Sequence, residues 1–446
     1  MDTSAHNIAN ANTPGYHRQE VTLGSRRPFP SLSSLQGPLG GQWGTGVEIV
    51  SVRRAQDAYL GLHLRTATGQ LAQWQAADSS LEEIQAVLAP GSGSDLGSLL
   101  DNFWNAWQTL STSPEDVAAR VEVRSRGLAV ADGFRDAVQQ LRASAAKLDD
   151  AVQAGVDEIN QLTGQVASLN RDISVALAAG RSPNDLLDTR DQLLLRLGEL
   201  TGASPLTSQE GDLILNLGGR PLVQGQLAFQ LTTVRGPSGH LDLVWQEDGS
   251  PVTLPAGQIS GNLQVRDEVI PAHLAQLDQI ASNLVSAVNS LHQGGYALDG
   301  VTTGLDFFVA GSTAADLALD PALLDDASLI AAAAAPDSPG DGSLALAIAG
   351  VRTQGLLPAG ETLNQAWQGL LEEVGSQVQA AKDNITTTQL RYDQLLAQQD
   401  SLSGVSLDEE IAQMMQFQHA YEAAAKVMSV LDQMLATLIE QVGQAG

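Results

Sequence analysis

From Leu407 to Val442 apolar residues return at every seventh position. Leu407, Met414, Tyr421, Met428, Leu435 and Val442 form one row, and Phe417, Ala424, Leu431 and Leu438 lie three places on. In a strand, residues seven apart fall on opposite faces, so a repeat sustained over about four heptads predicts an α-helix with a coiled-coil seam. Ser406 and Glu409 predict a capping box at its start, with Asp408, Glu409 and Glu410 at the positive end of the helix dipole. At 1.5 Å per residue the helix would run roughly 54 Å, and its seam needs a partner over that whole length. If the partner is another subunit, this end of the chain folds on assembly.

The same period governs the interior. Ala131, Val138, Ala145, Val152, Ile159, Val166 and Ile173 repeat by sevens, followed three behind by Phe134, Leu141, Leu148, Gly155, Leu162, Leu169 and Ala176. This predicts a helix from Pro114 to near Ala179, roughly 95 Å long, opened by Ser113 as N-cap, Pro114 and Asp116. Further helices are expected over Ala55–Leu88, Leu99–Leu110, Asn184–Leu200, Gly261–Leu291 (kinked or begun at Pro271), Ser343–Gln354 and Leu363–Leu402. From Ser204 the period drops to two, with strands at Leu213–Leu217, Leu227–Val234, Leu241–Trp245 and Val252–Leu254, and another at Asp306 in DFFV.

The expected fold is mainly α with a small inserted β domain. Long antiparallel helices form a rod, and the N- and C-terminal coiled-coil helices share one pole. Residues 1–54 and 403–446 make a terminal coiled-coil region, 55–202 and 261–402 the helical rod, and 203–260 the β insertion.

At the other end, Asn7, Asn10, Asn12, Thr13, Pro14, Gly15 and Tyr16 belong to the stretch NIANANTPGYHRQ. Pro14 presets φ at the second position of a turn, and Gly15 takes the positive φ that type II geometry requires at the third. This stretch together with Ser403–Leu438 resembles the paired termini of bacterial flagellar axial proteins. NTPGYHRQEV and the interior stretch NDLLDTRDQL are similar to the hook-associated junction-protein family, and the likeness runs over nearly the whole chain.

Composition narrows the classes. The 446 residues carry 23 basic against 51 acidic side chains, a net charge of −28 that repels phosphate and disfavours nucleic acid and anionic membranes. There is no cysteine, so disulfides and thiolate metal sites are excluded. No apolar run approaches the length of a membrane span, and the chain does not open on a charged-then-apolar signal peptide.

The seven histidines lack HExxH spacing, and neither GxSxG nor GxxxxGK[ST] occurs. GSGSDLG lacks both the glycine spacing and the preceding strand of a dinucleotide loop, and the acidic residues near Asp337 and Asp341 lack EF-hand spacing. Asp188, Arg190 and Asp191 could be drawn as an acid–base cluster, but their spacing fits helical ion pairing. No enzyme activity, cofactor or metal site is expected.

The resemblance implies a structural protein that polymerises between hook and filament through its terminal helices. It would be exported through the flagellar type III apparatus and lie outside the cell. Its partners would be copies of itself, the hook protein, the second junction protein and an export chaperone that masks Leu407–Leu438. Another axial protein, such as the second junction protein or a flagellin-like chain, and a surface adhesin remain alternatives. In the family a full amphipathic helix precedes the Asn-rich turn, whereas Met1–Ala5 lines up with its middle, so the resemblance implies either a start codon placed too far downstream, the reading preferred here, or a truncated form.

Overall fold

The computed structural model describes all residues except 28, 31–41, 44, 90–94, 208–212, 359 and 444–446. Most of the expected loop before Val47 and most of the glycine-rich break after Leu88 therefore lie outside the described residues. The elements run α1 (Asp2–Ala9), β1 (Gln19–Ser25), β2 (Phe29–Pro30), β3 (Gln42–Trp43), β4 (Val47–Arg54), α2 (Ala58–Leu88), α3 (Leu96–Thr112), α4 (Val117–Ala178) and α5 (Asn184–Thr201). They continue as β5 (Ser204–Thr207), β6 (Leu213–Leu217), β7 (Arg220–Gln224), β8 (Leu227–Ala228), β9 (Leu231–Arg235) and β10 (Leu241–Trp245). Then follow α6 (Gln258–Gln264), α7 (Ile270–His292), α8 (Pro321–Asp325), α9 (Ser343–Gly350), α10 (Leu363–Ser403) and α11 (Leu407–Gly443). The fold is mainly α with a few small sheets, as the periodicities predict. The chain divides into two units, one of residues 1–68, 159–230 and 389–446, the other of 69–158 and 231–388.

The second unit is built around an aromatic core. The apolar face of α3 supplies Phe103, Trp104 and Trp107, all buried, against Phe307 and Phe308. Phe307 stands 5.5 Å from Phe103 and 5.3 Å from Trp107 between ring centroids, spacings at which tilted aromatic pairs attract. The strand expected at DFFV is reduced to a single bridge, Phe308 to Leu319. Its backbone is engaged elsewhere. Asn289 on α7 accepts from the amides of Phe307 and Phe308 at 3.0 and 2.9 Å and donates to the Phe308 carbonyl at 2.7 Å. An amide side chain has thus taken the bonds a neighbouring strand would have made.

Helix α4 runs unbroken through Gly133. A Cβ there would lie 2.6 Å from Leu99 Cδ1, so the glycine admits a close approach by α3. Helix α4 opens at Asp116, whose carboxylate accepts from Ala118 N–H at 2.8 Å, while Ser113 closes α3 instead of capping α4. Around Pro271 the helical run from Gln258 to His292 contains a π turn at Val265–Val269. Proline lacks the N–H that would continue the regular ladder, and the wider turn just before it absorbs the defect. From that turn the buried Arg266 donates to Asp149 (2.6 Å) and to the Leu241 carbonyl (2.8 Å), fastening the β9–β10 hairpin to α4.

Two buried titratable groups complete this core. Arg120 donates to the carbonyls of Pro114 and Ile330, and burial lowers its pKa to about 10. His292 donates from Nδ1 to the Leu305 carbonyl (2.7 Å) and accepts at Nε2 from Ala331 N–H (3.0 Å), a pattern open only to the neutral ring.

The first unit contains the antiparallel pair β1–β4 and the antiparallel sheet β5-β6-β7-β8. Leu215, Leu217, Leu222 and Val223 of that sheet are buried, as are Leu194, Leu197 and Leu200 of α5. Gly202 ends α5 at φ +69, the left-handed cap that its place just past the helix predicts. The β residues expected as one insertion over 203–260 are divided. Strands β5 to β8 form their own sheet in the first unit, whereas β9 and β10 pair with each other in the second. Val252–Leu254 contains no strand, and only Pro251 bridges to Val244.

Candidate assembly site at the chain ends

The Asn-rich segment closes α1 and then turns. Tyr16 N–H donates to the Thr13 carbonyl at 3.2 Å and Gly15 sits at φ +74, which is the turn expected of Thr13-Pro14-Gly15-Tyr16. Asn10 accepts from the Thr13 hydroxyl at 3.1 Å and donates to the His6 carbonyl at 3.0 Å, holding the approach to that turn. Asn12, Thr13, Pro14 and Gly15 are exposed and Tyr16 is half-buried. The Pro14 carbonyl accepts from the Gln192 side chain of α5.

Asn7 is the hub, with 1% of its surface exposed. Its amide nitrogen donates to the Gln19 carbonyl and to Glu410 Oε1, each at 3.0 Å. Its carbonyl oxygen accepts from the Tyr16 hydroxyl (2.7 Å) and from Gln19 N–H (2.9 Å). All four bonds an asparagine can make are thereby satisfied. Burial, followed by the carboxylates of Asp185, Asp188 and Glu410, pushes the Tyr16 pKa well above the ordinary phenol value, so its hydroxyl stays a donor.

Arg18 ties the same segment to the start of α11. Its side chain pairs with Glu409 (3.0 Å) and Glu410 (3.1 Å), and its N–H donates to the Ser403 carbonyl at 2.9 Å. Glu410, at 1% exposure, occupies a seam position three residues after Leu407. A carboxylate in an apolar row is the sequence signal for this contact, although the helix dipole alone also suits an acidic residue there. Of the capping box, the Ser406 half forms, with Glu409 N–H 3.4 Å from the Ser406 hydroxyl, while the Glu409 side chain goes to Arg18.

Helix α5 provides the second set of grips. Asp188 does not pair along its helix, as the i,i+3 spacing suggests; it receives His17 Nδ1 and Arg54 Nη1, each at 2.7 Å. Arg54 also reaches Asp191 at 2.8 Å, and Arg190 turns to Asn170 at 3.1 Å. Asn184 donates to the Gln19 side chain (3.1 Å) and the Val52 carbonyl (3.2 Å), and Gln19 donates to Asp185 at 2.9 Å. The NDLLDTRDQ stretch is therefore a clamp on the N-terminal segment and β4.

His17, Asp188 and Asp191 place ligand atoms within 4.8 Å of one another, a spacing that could hold a cation. The Arg54 guanidinium stands between the two carboxylates, at 2.7 and 2.8 Å, and supplies the positive charge there itself. The arrangement is suited to holding chain segments together.

Beyond its first turns α11 carries its apolar residues outward. Leu407, Tyr421, Ala424, Met428, Leu431, Leu435 and Leu438 are exposed, Tyr421 by 70%, and Met414 and Phe417 are partly covered. The Val442 side chain lies outside the described residues. The exposed apolar surface is wider than the seam, because Ile411, Met415, Val427, Val430, Met434 and Ile439 are exposed as well. No described helix is long and apolar enough to cross a membrane.

Comparison with known proteins agrees with this geometry. Residues 81–308 match the model of the flagellar hook-associated protein FlgK helical domain, and 398–441 match the C-terminal model of the flagellar basal-body rod FlgEFG proteins. Flagellar hook-associated protein 1 of Bacillus subtilis is 28% identical, with 100% of this chain and 96% of the relative covered. That of Escherichia coli is 26% identical over 98% of this chain and 96% of the relative. The Salmonella typhimurium protein is 32% identical over 70% of this chain and 57% of its own length. The solved flagellar hook junction protein FlgK of Burkholderia pseudomallei shares the fold at a TM-score of 0.68 and 17% identity, covering 76% of this chain and all of that one. The class is thus a structural, axial component of the bacterial flagellum. The chain belongs to the FlgK family of flagellar hook-associated proteins.

Proposed function

We propose that the chain joins hook to filament by polymerising through its terminal helices, with α11 of each copy packed against helices of its neighbours. The observation that carries this is the apolar surface of α11, exposed from Leu407 to Ile439 on a helix already tethered at its first turn. Burying a large apolar side chain contributes about 2 kcal/mol, so a row of this length favours association strongly. Apolar residues on both sides of the seam suit contact with more than one helix. The hook protein, the second junction protein and copies of this chain are the expected neighbours. An export chaperone of the type III apparatus would cover Leu407–Leu438 beforehand.

Glutamate at Leu431 and Leu435 tests the proposal. The monomer should melt within about 0.5 kcal/mol of wild type, since both side chains face solvent. Incorporation into flagella and motility should be lost in cells that lack the native copy. Protection of Leu407–Ile439 from protease in the isolated monomer would mean that the helix already has its partner, and would sink the proposal.

A further inference from the structure

The chain has five methionines and no cysteine, so all of its sulfur is thioether. Four of the five, Met414, Met415, Met428 and Met434, lie on α11. Met415 is 51% exposed, Met428 61% and Met434 59%, while Met414 is partly covered. Leu431 stands midway between Met428 and Met434, one helical turn from each, and it is exposed as well. An unbranched, polarizable thioether fits itself to irregular apolar surfaces, which suits a face that meets unlike partners in turn. Peroxides oxidise thiols and thioethers, and in a chain without thiols the exposed thioethers are the target.

We propose that Met428 and Met434 form an oxidant-sensitive modification site: a peroxide converts their thioethers to sulfoxides in the unassembled chain, and α11 can then no longer pack. In each conversion a sulfur lone pair attacks one oxygen of hydrogen peroxide, the S–O bond forms and the O–O bond breaks. The hydroxide released takes the proton from the transferred oxygen and leaves as water. Sulfur loses two electrons and the peroxide gains them.

A sulfoxide oxygen is a polar acceptor set in an apolar row. The residues one turn from Met434 include a single hydroxyl, Thr437, and that already donates to the Gln433 carbonyl at 2.8 Å. Those one turn from Met428 are Ala424, Ala425, Leu431 and Asp432, none of which donates from its side chain at neutral pH. Packing the oxidised face against another apolar helix would therefore bury acceptors without donors. Packing of the reduced face shuts the thioethers away from oxidant, so the site is open only before assembly. Methionine sulfoxide reductases, one for each sulfoxide epimer, would restore it. The loss of assembly rests on the role proposed above for α11, whereas the oxidation does not.

The probe is hydrogen peroxide. In the purified full-length chain under limiting peroxide, mass mapping should find oxygen gained at Met428 and Met434 before Met414; the reverse order overturns the proposal. Cells that lack the native copy should then be grown in sublethal peroxide with either the wild-type chain or Met428→Leu combined with Met434→Leu. Incorporation into flagella is read for each chain against its own untreated level. The wild type should fall about fivefold or more and the double variant much less. No fall in the wild type, or an equal fall in both, overturns the proposal. Glutamate at Leu431 and Leu435 separates the two readings. If that chain is lost from flagella while oxidised wild type is not, the sulfoxide proposal alone fails; if it is incorporated normally, the role of α11 has failed first.

Discussion

Asn7 and Glu410 are 403 residues apart in sequence and share a buried hydrogen bond of 3.0 Å. Asn7→Ala leaves Glu410 Oε1 only its pair with Arg18, removes a partner from the Tyr16 hydroxyl and from both backbone groups of Gln19, and should cost about 3 kcal/mol. Asn7→Asp is worse at neutral pH, because it sets a carboxylate against Glu410 and the Gln19 carbonyl. Hydrogen exchange should show faster opening over Ser403–Ile411 in both variants. Only the aspartate variant should recover part of its protection as the pH is lowered and the carboxyl takes a proton.

Arg54 holds the carboxylates of Asp188 and Asp191. Its side chain is 5% exposed and that of Asp188 8%, so solvent offers little substitute. Arg54→Met should destabilise the first unit by about 3–5 kcal/mol, read from urea unfolding. Adding Asp191→Asn should restore part of the loss, a coupling that a purely steric defect at Arg54 would not produce.

At Gly15 the backbone adopts φ +74, and an added Cβ would come within 2.5 Å of Gln192 Nε2. Gly15→Ala should therefore lose about 1–2 kcal/mol from backbone strain, together with the bond from Gln192 to the Pro14 carbonyl. A shift of the urea midpoint that vanishes in the Gln192→Ala background would assign the whole loss to that side chain and none to the backbone.

Burial lowers the His292 pKa from the ordinary 6.5 to about 4, with Arg120 acting in the same direction and the Leu305 carbonyl, Asp306 and Asp320 opposing. The unfolded chain protonates this ring first. Between pH 6.5 and about 4 it binds more protons than the folded chain, and stability falls as pH falls. The loss across the window is on the order of 3 kcal/mol. His292→Gln should flatten the pH dependence of melting of the second unit in that window, even if the variant is less stable at pH 7.

Much of this was legible in the sequence because it is periodic. The heptads of α4 and α11 and the Pro14–Gly15 turn depend on nearest neighbours along the chain, and they appear within a few residues of where they are expected. The grips between segments were not legible. Asp188 and Asp191 stand at helical ion-pair spacing from other residues of α5, yet their partners are His17 and Arg54, more than a hundred positions away. Local spacing cannot register a partner that tertiary folding delivers. The same reason accounts for the lost strand at Phe307–Phe308, where Asn289 intercepts backbone groups that an alternating pattern assigns to a sheet. It accounts too for the divided β insertion, since alternation marks strands without saying which strand each will join.

The first unit draws on residues 1–68, 159–230 and 389–446, so it closes only when segments hundreds of positions apart meet. Closing a loop of 403 residues through otherwise unfolded chain costs on the order of 5 kcal/mol in entropy, which the Asn7–Glu410 contact alone cannot recover. The second unit, made of residues 69–158 and 231–388, lies wholly inside that interval, and the effective loop is shorter once that unit is folded. Folding of the interior unit before the two ends meet is the order that this cost favours.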